Sequence, residues 1–237
     1  MTPLRQFLLE RREQFDTHFT LARAMENRII EGEAVSIGET ELSVRHVMTM
    51  KSGLVVHLYN VIESTMTGAM DAVGQAIGSV PPTEWTENAL REWLRKHAAI
   101  ASDGGEDGRL RIVHAAVSHL LGTVSPEVRS LKKPSGTWSD QLVCTFAKRL
   151  GIQLQLPPDM HRRLQKRTEL RDMTPLGFVA DRRNAIAHGR RSFEEGGKDI
   201  TLTLIRELAD VTLDFLDHVI DAFEDYIAAE RYRSVDT

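Results

Sequence analysis

Two stretches of this sequence, residues 46–78 and 200–232, run without a proline while apolar side chains return every three to four positions. In the first the stripe is Val47, Leu54, Leu58, Val61, Ile62, Ala69, Val73 and Ile77. In the second it is Leu204, Leu208, Val211, Phe215, Val219, Phe223 and Tyr226. That period is helical, and a long helix hides such a stripe mainly against other long helices. The expected fold class is therefore all-α, an antiparallel helical bundle with helical insertions between its core helices.

The rest of the chain fits around those two elements. Thr2 caps a first helix, with Pro3 at its first position. Leu4, Leu8, Phe15, Phe19, Ala22, Met25 and Ile29 carry it over about 2–30. Residues 31–45 are polar, hold two glycines and read as a connector with room for a short extended piece. Pro81-Pro82 ends the second helix. A third spans about 84–101, with Trp85, Leu90, Trp93, Leu94 and Ile100. Residues 103–108 read as an exposed loop and 109–121 as a helix. A connector covers 123–139, and shorter helices cover 139–150 and 158–171. Thr174-Pro175 opens a helix over about 174–189, with Gly189 where a terminating glycine falls. Gly196-Gly197 then separates it from the last helix. Only 152–156 alternates in the manner of a strand, and too briefly to define one.

Composition excludes several classes. A chain of 237 residues, 41% hydrophobic and 27% charged, can bury a core as one large domain or two small ones. No apolar run spans a bilayer, and Glu10-Arg11-Arg12-Glu13 follows Phe7-Leu8-Leu9 too closely for a signal peptide. No membrane association is expected, and the cytoplasm is the default location. One cysteine, Cys144, excludes an internal disulfide and a multi-cysteine zinc site. Its neighbours Leu142, Val143 and Phe146 predict a buried, inert thiol.

The chemistry concentrates in Arg183-Asn184-Ala185-Ile186-Ala187-His188-Gly189. A guanidinium holds phosphate with a fork of donors, and an imidazole moves protons near neutral pH. Segment 161–191 carries nine Lys/Arg against three acids, a net +6 in a chain of net −4. Such an island suits a phosphate-binding site, and equally a solvated helix face rich in arginine. Asn184 and His188, four apart, share a helix face. Arg183 and His188, five apart, are separated by roughly 140° around the axis and ~7.5 Å along it. Arg183 must therefore reach around its helix or meet a His188 from another copy, which favours a composite site across a dimer. Ala185, Ile186 and Ala187 suit packing against a partner helix. On spacing alone the same residues also fit a salt-bridged arginine and a helix-end histidine.

Arg183-Asn184-x-x-x-His188-Gly189 resembles the Arg-x(4–6)-His signature of the HEPN superfamily. The surroundings resemble its short bacterial MAE-type members. Ser192-Phe193-Glu194-Glu195-Gly196-Gly197 follows the motif helix, a long final helix carries Tyr226, and Leu58-Tyr59-Asn60-Val61-Ile62-Glu63 is similar to the polar-studded second core helix. Gly136 to Ile152 is similar to the connector and short helix before the motif. Residues 79–110 find no counterpart. The resemblance implies a single HEPN-like domain over 1–237, with core helices at about 2–30, 46–78, 174–189 and 200–232 and an insertion at about 79–122.

It also implies a homodimer through the motif helix and metal-independent endoribonuclease chemistry, in which the ribose 2′-hydroxyl attacks the adjacent phosphate. Arg183, Asn184 and His188 would be the catalytic set: His188 the general acid/base, Arg183 the stabiliser of phosphoryl charge, Asn184 the positioner. Arg182, Arg190, Arg191, Arg167 and Arg171 of the basic island would bind RNA; Glu63, amid Val61, Ile62 and Met66, is a candidate for the cleft, or else pairs with an arginine or reaches solvent. No cofactor and no metal are expected. Related proteins serve as toxins of toxin–antitoxin pairs or antiphage effectors held silent by a partner, so a neutralising antitoxin or regulatory protein is an expected partner. The alternative class is a non-catalytic helical module binding RNA, a nucleotide or a protein through the same face.

Other constellations are weaker. Asp214, Asp217, His218 and Asp221 have helical spacing for a hard cation but lie opposite the apolar stripe, as a solvated face would. Gly196-Gly197-Lys198-Asp199 lacks the rest of a phosphate loop. His114 and His119 have no nearby carboxylate. Trp85 and Trp93 read as core before they read as base-stacking platforms.

Overall fold

The computed structural model describes residues 2–101, 105–122 and 131–234, with the side chains of 96–101 not described. Ile100 as a packing residue, Asp103-Gly104 of the expected loop and 123–130 of the expected connector thus lie outside the described residues. The described residues form nine α-helices and one two-stranded hairpin. They are α1 (Pro3–Ile30), β1 (Val35–Ile37), β2 (Thr40–Leu42), α2 (Val44–Gly78), α3 (Glu87–Ala101), α4 (Glu106–Leu120), α5 (Asp140–Leu150), α6 (Pro158–Arg163), α7 (Pro175–Ala187), α8 (Phe193–Lys198) and α9 (Leu202–Ala228). The fold is all-α, as expected.

Two compact units divide these elements. The first holds Met1–Thr65, Thr137–Asp140 and Leu156–His218; the second holds Met66–Gly136, Gln141–Gln155 and Val219–Thr237. In the first, α1 begins as its sequence demands: the Thr2 side chain accepts from the Arg5 N–H at 3.4 Å, with proline in the first turn. Leu8, Phe15, Phe19, Ala22 and Met25 are its buried face. The connector resolves into the antiparallel pair β1–β2, with Ser36 opposite Glu41 and Gly38 at φ +60 in the turn. Helices α2 and α9 bury more than one stripe. Leu54, Val55, Leu58, Tyr59 and Ile62 of α2, and Leu202, Ile205, Leu208, Ala209, Leu213 and Leu216 of α9, are all buried. The single-stripe expectation was too narrow for helices apolar over most of their circumference.

Three elements differ from expectation here. The 158–171 helix stops at Arg163. Thr168–Leu170 is only a 3₁₀ turn, and Arg171 and Asp172 take φ +57 and +56, which a right-handed helix forbids. Gly196-Gly197 is not a break but part of α8, capped by reciprocal Ser192–Glu195 hydrogen bonds. Both glycines are buried, and a Cβ on Gly197 would stand 1.9 Å from the Met48 carbonyl oxygen. Glycine is what lets α8 lie on the α2 backbone. The last helix begins at Leu202 rather than about 200.

In the second unit, Trp85 and Trp93 are buried edge-to-face at 5.5 Å, and the Trp85 indole donates to the Ile77 carbonyl at 2.8 Å. They are core. Glu92, 1% exposed, is held by Arg95 and Arg149. Helix α4 starts three residues early, so Glu106-Asp107-Gly108 is its acidic first turn and not loop. Helix α9 ends four residues early because Glu230 turns at φ +48, letting the Tyr232 carbonyl accept from Thr86 N–H at 2.8 Å. The buried-thiol expectation is also corrected: Cys144 is exposed. Val143, Phe146, Ala147 and Leu150 define the buried face of α5, and a residue one step from Val143 points about 100° away from it. No described helix is long and apolar enough to cross a membrane.

Candidate functional site

Helix α7 places the motif. The Thr174 hydroxyl accepts from Gly177 N–H at 3.1 Å and contacts Asp140, fixing the start of the helix. At the other end His188 is the C-cap. Its N–H donates to the Asn184 carbonyl at 3.0 Å, and Gly189 N–H donates to that of Ile186 at 3.1 Å. Gly189 takes φ +69, the left-handed value that the expected terminal glycine supplies. Leu176, Phe178, Val179, Ala185 and Ile186 bury the inner face. Ala185 and Ile186 therefore pack within their own chain, which corrects their expected role against a partner helix. Only Ala187 of the three is exposed.

Arg183 is half-buried and held from three sides. One Nη donates to Asn184 Oδ1 at 3.1 Å, the other to Glu63 Oε2 at 3.3 Å, and the guanidinium carbon lies 4.4 Å from the Tyr59 ring centre. Asn184 Nδ2 donates in turn to Thr137 Oγ1 at 2.9 Å. The Tyr59 hydroxyl accepts from Trp138 N–H at 3.2 Å. Asn184 thus orients Arg183, bridging it to the segment before α5. A guanidinium stacked on an aromatic face and pinned by a carboxylate loses little entropy when it meets an anion. Two of its five N–H groups are taken here, leaving a fork of donors untaken by described residues.

The structure brings Arg183, Asn184 and Glu63 together. It leaves the His188 side chain outside their hydrogen-bond network, exposed at the end of α7. Tyr59, Thr137 and Trp138 were not singled out as site residues. Tyr59 lies one helical turn before Glu63, a signal that could have found it. Thr137 and Trp138 are distant in sequence and carry no such signal.

The basic island changes character in three dimensions. Arg182, expected on the RNA-binding surface, is 4% exposed; it donates to the Gly196 carbonyl and to Asp199, both at 2.6 Å, with Phe178 beneath it. That expectation is corrected, because burial removes Arg182 from any ligand. Asp199 also accepts from Arg171 at 2.8 Å and Arg191 at 3.1 Å. Partial burial alone would raise its pKa, yet Arg182 and Arg191 hold it down to about 2. Arg167 pairs with Glu207, Arg163 with Asp214 and Arg190 with Asp181. The carboxylates that pair with this segment, Glu63, Asp199, Glu207 and Asp214, lie outside 161–191. Arg190, Arg171 and Arg191 remain at the surface but with carboxylate partners. The carboxylates with cation-site spacing on α9 are similarly engaged: Asp214 and Asp217 pair with Arg12. Among the described residues no group of three or more His, Cys, Asp or Glu could hold a metal ion.

A family model described as HEPN_MAE_28990-like HEPN matches residues 8–232. Comparison with curated proteins and with solved structures gave no match.

Proposed function

The chain belongs to the HEPN_MAE_28990-like HEPN family, and from that premise we propose that it is a metal-independent endoribonuclease. In this reading the ribose 2′-hydroxyl attacks the neighbouring phosphorus, the 5′-oxygen leaves, and a 2′,3′-cyclic phosphate remains. His188 takes the hydroxyl proton or supplies one to the leaving oxygen. Arg183 stabilises charge growing on the phosphoryl oxygens, worth about 3–4 kcal/mol for a well-placed donor. Asn184 and Glu63 keep that guanidinium aimed. Arg167, Arg171, Arg190 and Arg191 supply a surrounding field for the RNA backbone once phosphate competes with their carboxylate partners.

The observation that carries the reading is the preorganised Arg183, clamped by Asn184, Glu63 and Tyr59 within five residues of an exposed His188. Because the His188 side chain stands outside the Arg183 network, the reading includes a homodimer in which each guanidinium meets the other copy's imidazole. A role as a toxin or antiphage effector in the cytoplasm, restrained by a neutralising protein, belongs to the same proposal. The second reading is a non-catalytic RNA- or partner-binding module, favoured by the ion pairing of Arg183 and by His188 standing outside its network. Purified wild type, His188→Ala and Arg183→Ala, incubated with total RNA and chelator, separate the two. Cleavage by wild type alone supports the enzyme; RNA binding without cleavage at any concentration supports the module.

A further inference from the structure

Away from α7, the first unit holds a pair of histidines that the ribonuclease reading leaves unused. His18 on α1 and His57 on α2 approach with their Nδ1 atoms 3.1 Å apart and ring centres 5.0 Å apart. They stand at a groove of about 470 Å³ whose rim includes Gln14, Met50, Gly53 and Asn60. From the geometry we infer that His18 and His57 form a binding site for a borderline divalent transition-metal ion, Zn²⁺ or Ni²⁺, clasping α1 to α2.

Two imidazole nitrogens each about 2.0–2.1 Å from one ion lie roughly 2.9 Å apart at a right angle and about 3.3 Å apart in a tetrahedron. The observed 3.1 Å falls between, so the two nitrogens already stand at the separation a shared ion needs. The rings need only carry their protons on Nε2, turning both Nδ1 lone pairs toward the same point. Phe15 packs on His57 at 5.9 Å and limits its rotation. Burial, with His18 and Arg11 nearby, lowers the His57 pKa. The same Arg11 charge opposes a cation and weakens the site. Asn60 lines the same groove, whereas the Gln14 Oε1 already accepts from Arg11 at 2.7 Å, so water supplies the remaining positions. With no third His, Cys, Asp or Glu gathered among the described residues, the site would be an open, exchangeable one.

The inference does not depend on ribonuclease activity and is tested without it. Zn²⁺ and Ni²⁺ are each titrated calorimetrically into full-length wild type, His18→Ala and His57→Gln, with circular dichroism reporting fold. One ion per chain is expected in wild type, with affinity lowered at least about tenfold in each variant. Imidazole NMR should show Nδ1 rather than Nε2 shifts on adding Zn²⁺. His18 is exposed, so its variant keeps the fold even if His57→Gln does not. The chain has nine histidines. Binding that persists undiminished in folded His18→Ala therefore belongs elsewhere and overturns the inference, as does an absence of saturable binding at millimolar ion.

Discussion

Replacing Arg183 with lysine separates the chemistry of the guanidinium from its charge. Lysine keeps the positive charge beside Glu63 but loses the planar stack on Tyr59, 4.4 Å away, and the simultaneous bonds to Asn184 and Glu63. The stacking is worth about 1 kcal/mol at a half-buried site. The ion pair, with both partners about a quarter to a third exposed, is worth no more than about 1 kcal/mol and is partly kept. The stability cost is thus about 1–2 kcal/mol, a fall in Tm of roughly 2–8 °C for a chain of this size. A domain stable by about 5–15 kcal/mol stays folded through that loss. Losing a positioned donor to the transition state costs about 10²–10³ in rate. Initial cleavage rates on a fluorogenic oligoribonucleotide at 25 °C, beside a thermal melt, should show Arg183→Lys folded yet at least a hundredfold slower. Cleavage within about threefold of wild type would refute the reasoning, as would a rate loss that merely follows the unfolded fraction.

The packing of α8 gives a sharper structural test. In Gly197→Ala the new methyl would meet the Met48 carbonyl oxygen at 1.9 Å, a contact that no rotamer change relieves, so a cost of about 3 kcal/mol is expected in chemical denaturation. An unchanged midpoint would mean that α8 does not rest on α2. The Asp199 hub predicts acid sensitivity. Its folded pKa of about 2 lies below the ordinary 3.8, so its contribution is complete above pH 4 and fades as pH falls toward 2. Asp199→Asn should therefore melt below wild type at pH 7, and the gap should shrink by pH 2. A gap independent of pH would contradict the assignment.

The long helices were legible because α2 and α9 carry apolar residues at helical spacing over some thirty positions, a signal that local exceptions do not erase. Thr174-Pro175 and Gly189 marked the ends of α7 because capping depends on residues within one turn. What local sequence could not supply was the partner of each charge. Arg183 meets a carboxylate 120 residues away, and Asp199 gathers Arg171, Arg182 and Arg191, turning an island of net +6 into a lattice of ion pairs. Arg182 reads as a surface cation until the Gly196 carbonyl and Asp199 enclose it. The His18–His57 pair, on separate helices, leaves no trace in any window of sequence. Gly196-Gly197 was visible as a pattern, but its reason, close approach to the α2 backbone, is a tertiary fact.

Analysis of product ends tests the central claim most directly. RNA cut by wild type in chelator should carry 2′,3′-cyclic phosphate and 5′-hydroxyl termini, and neither should form with His188→Ala. Products with 5′-phosphate ends, or cutting that survives in His188→Ala, would contradict the account.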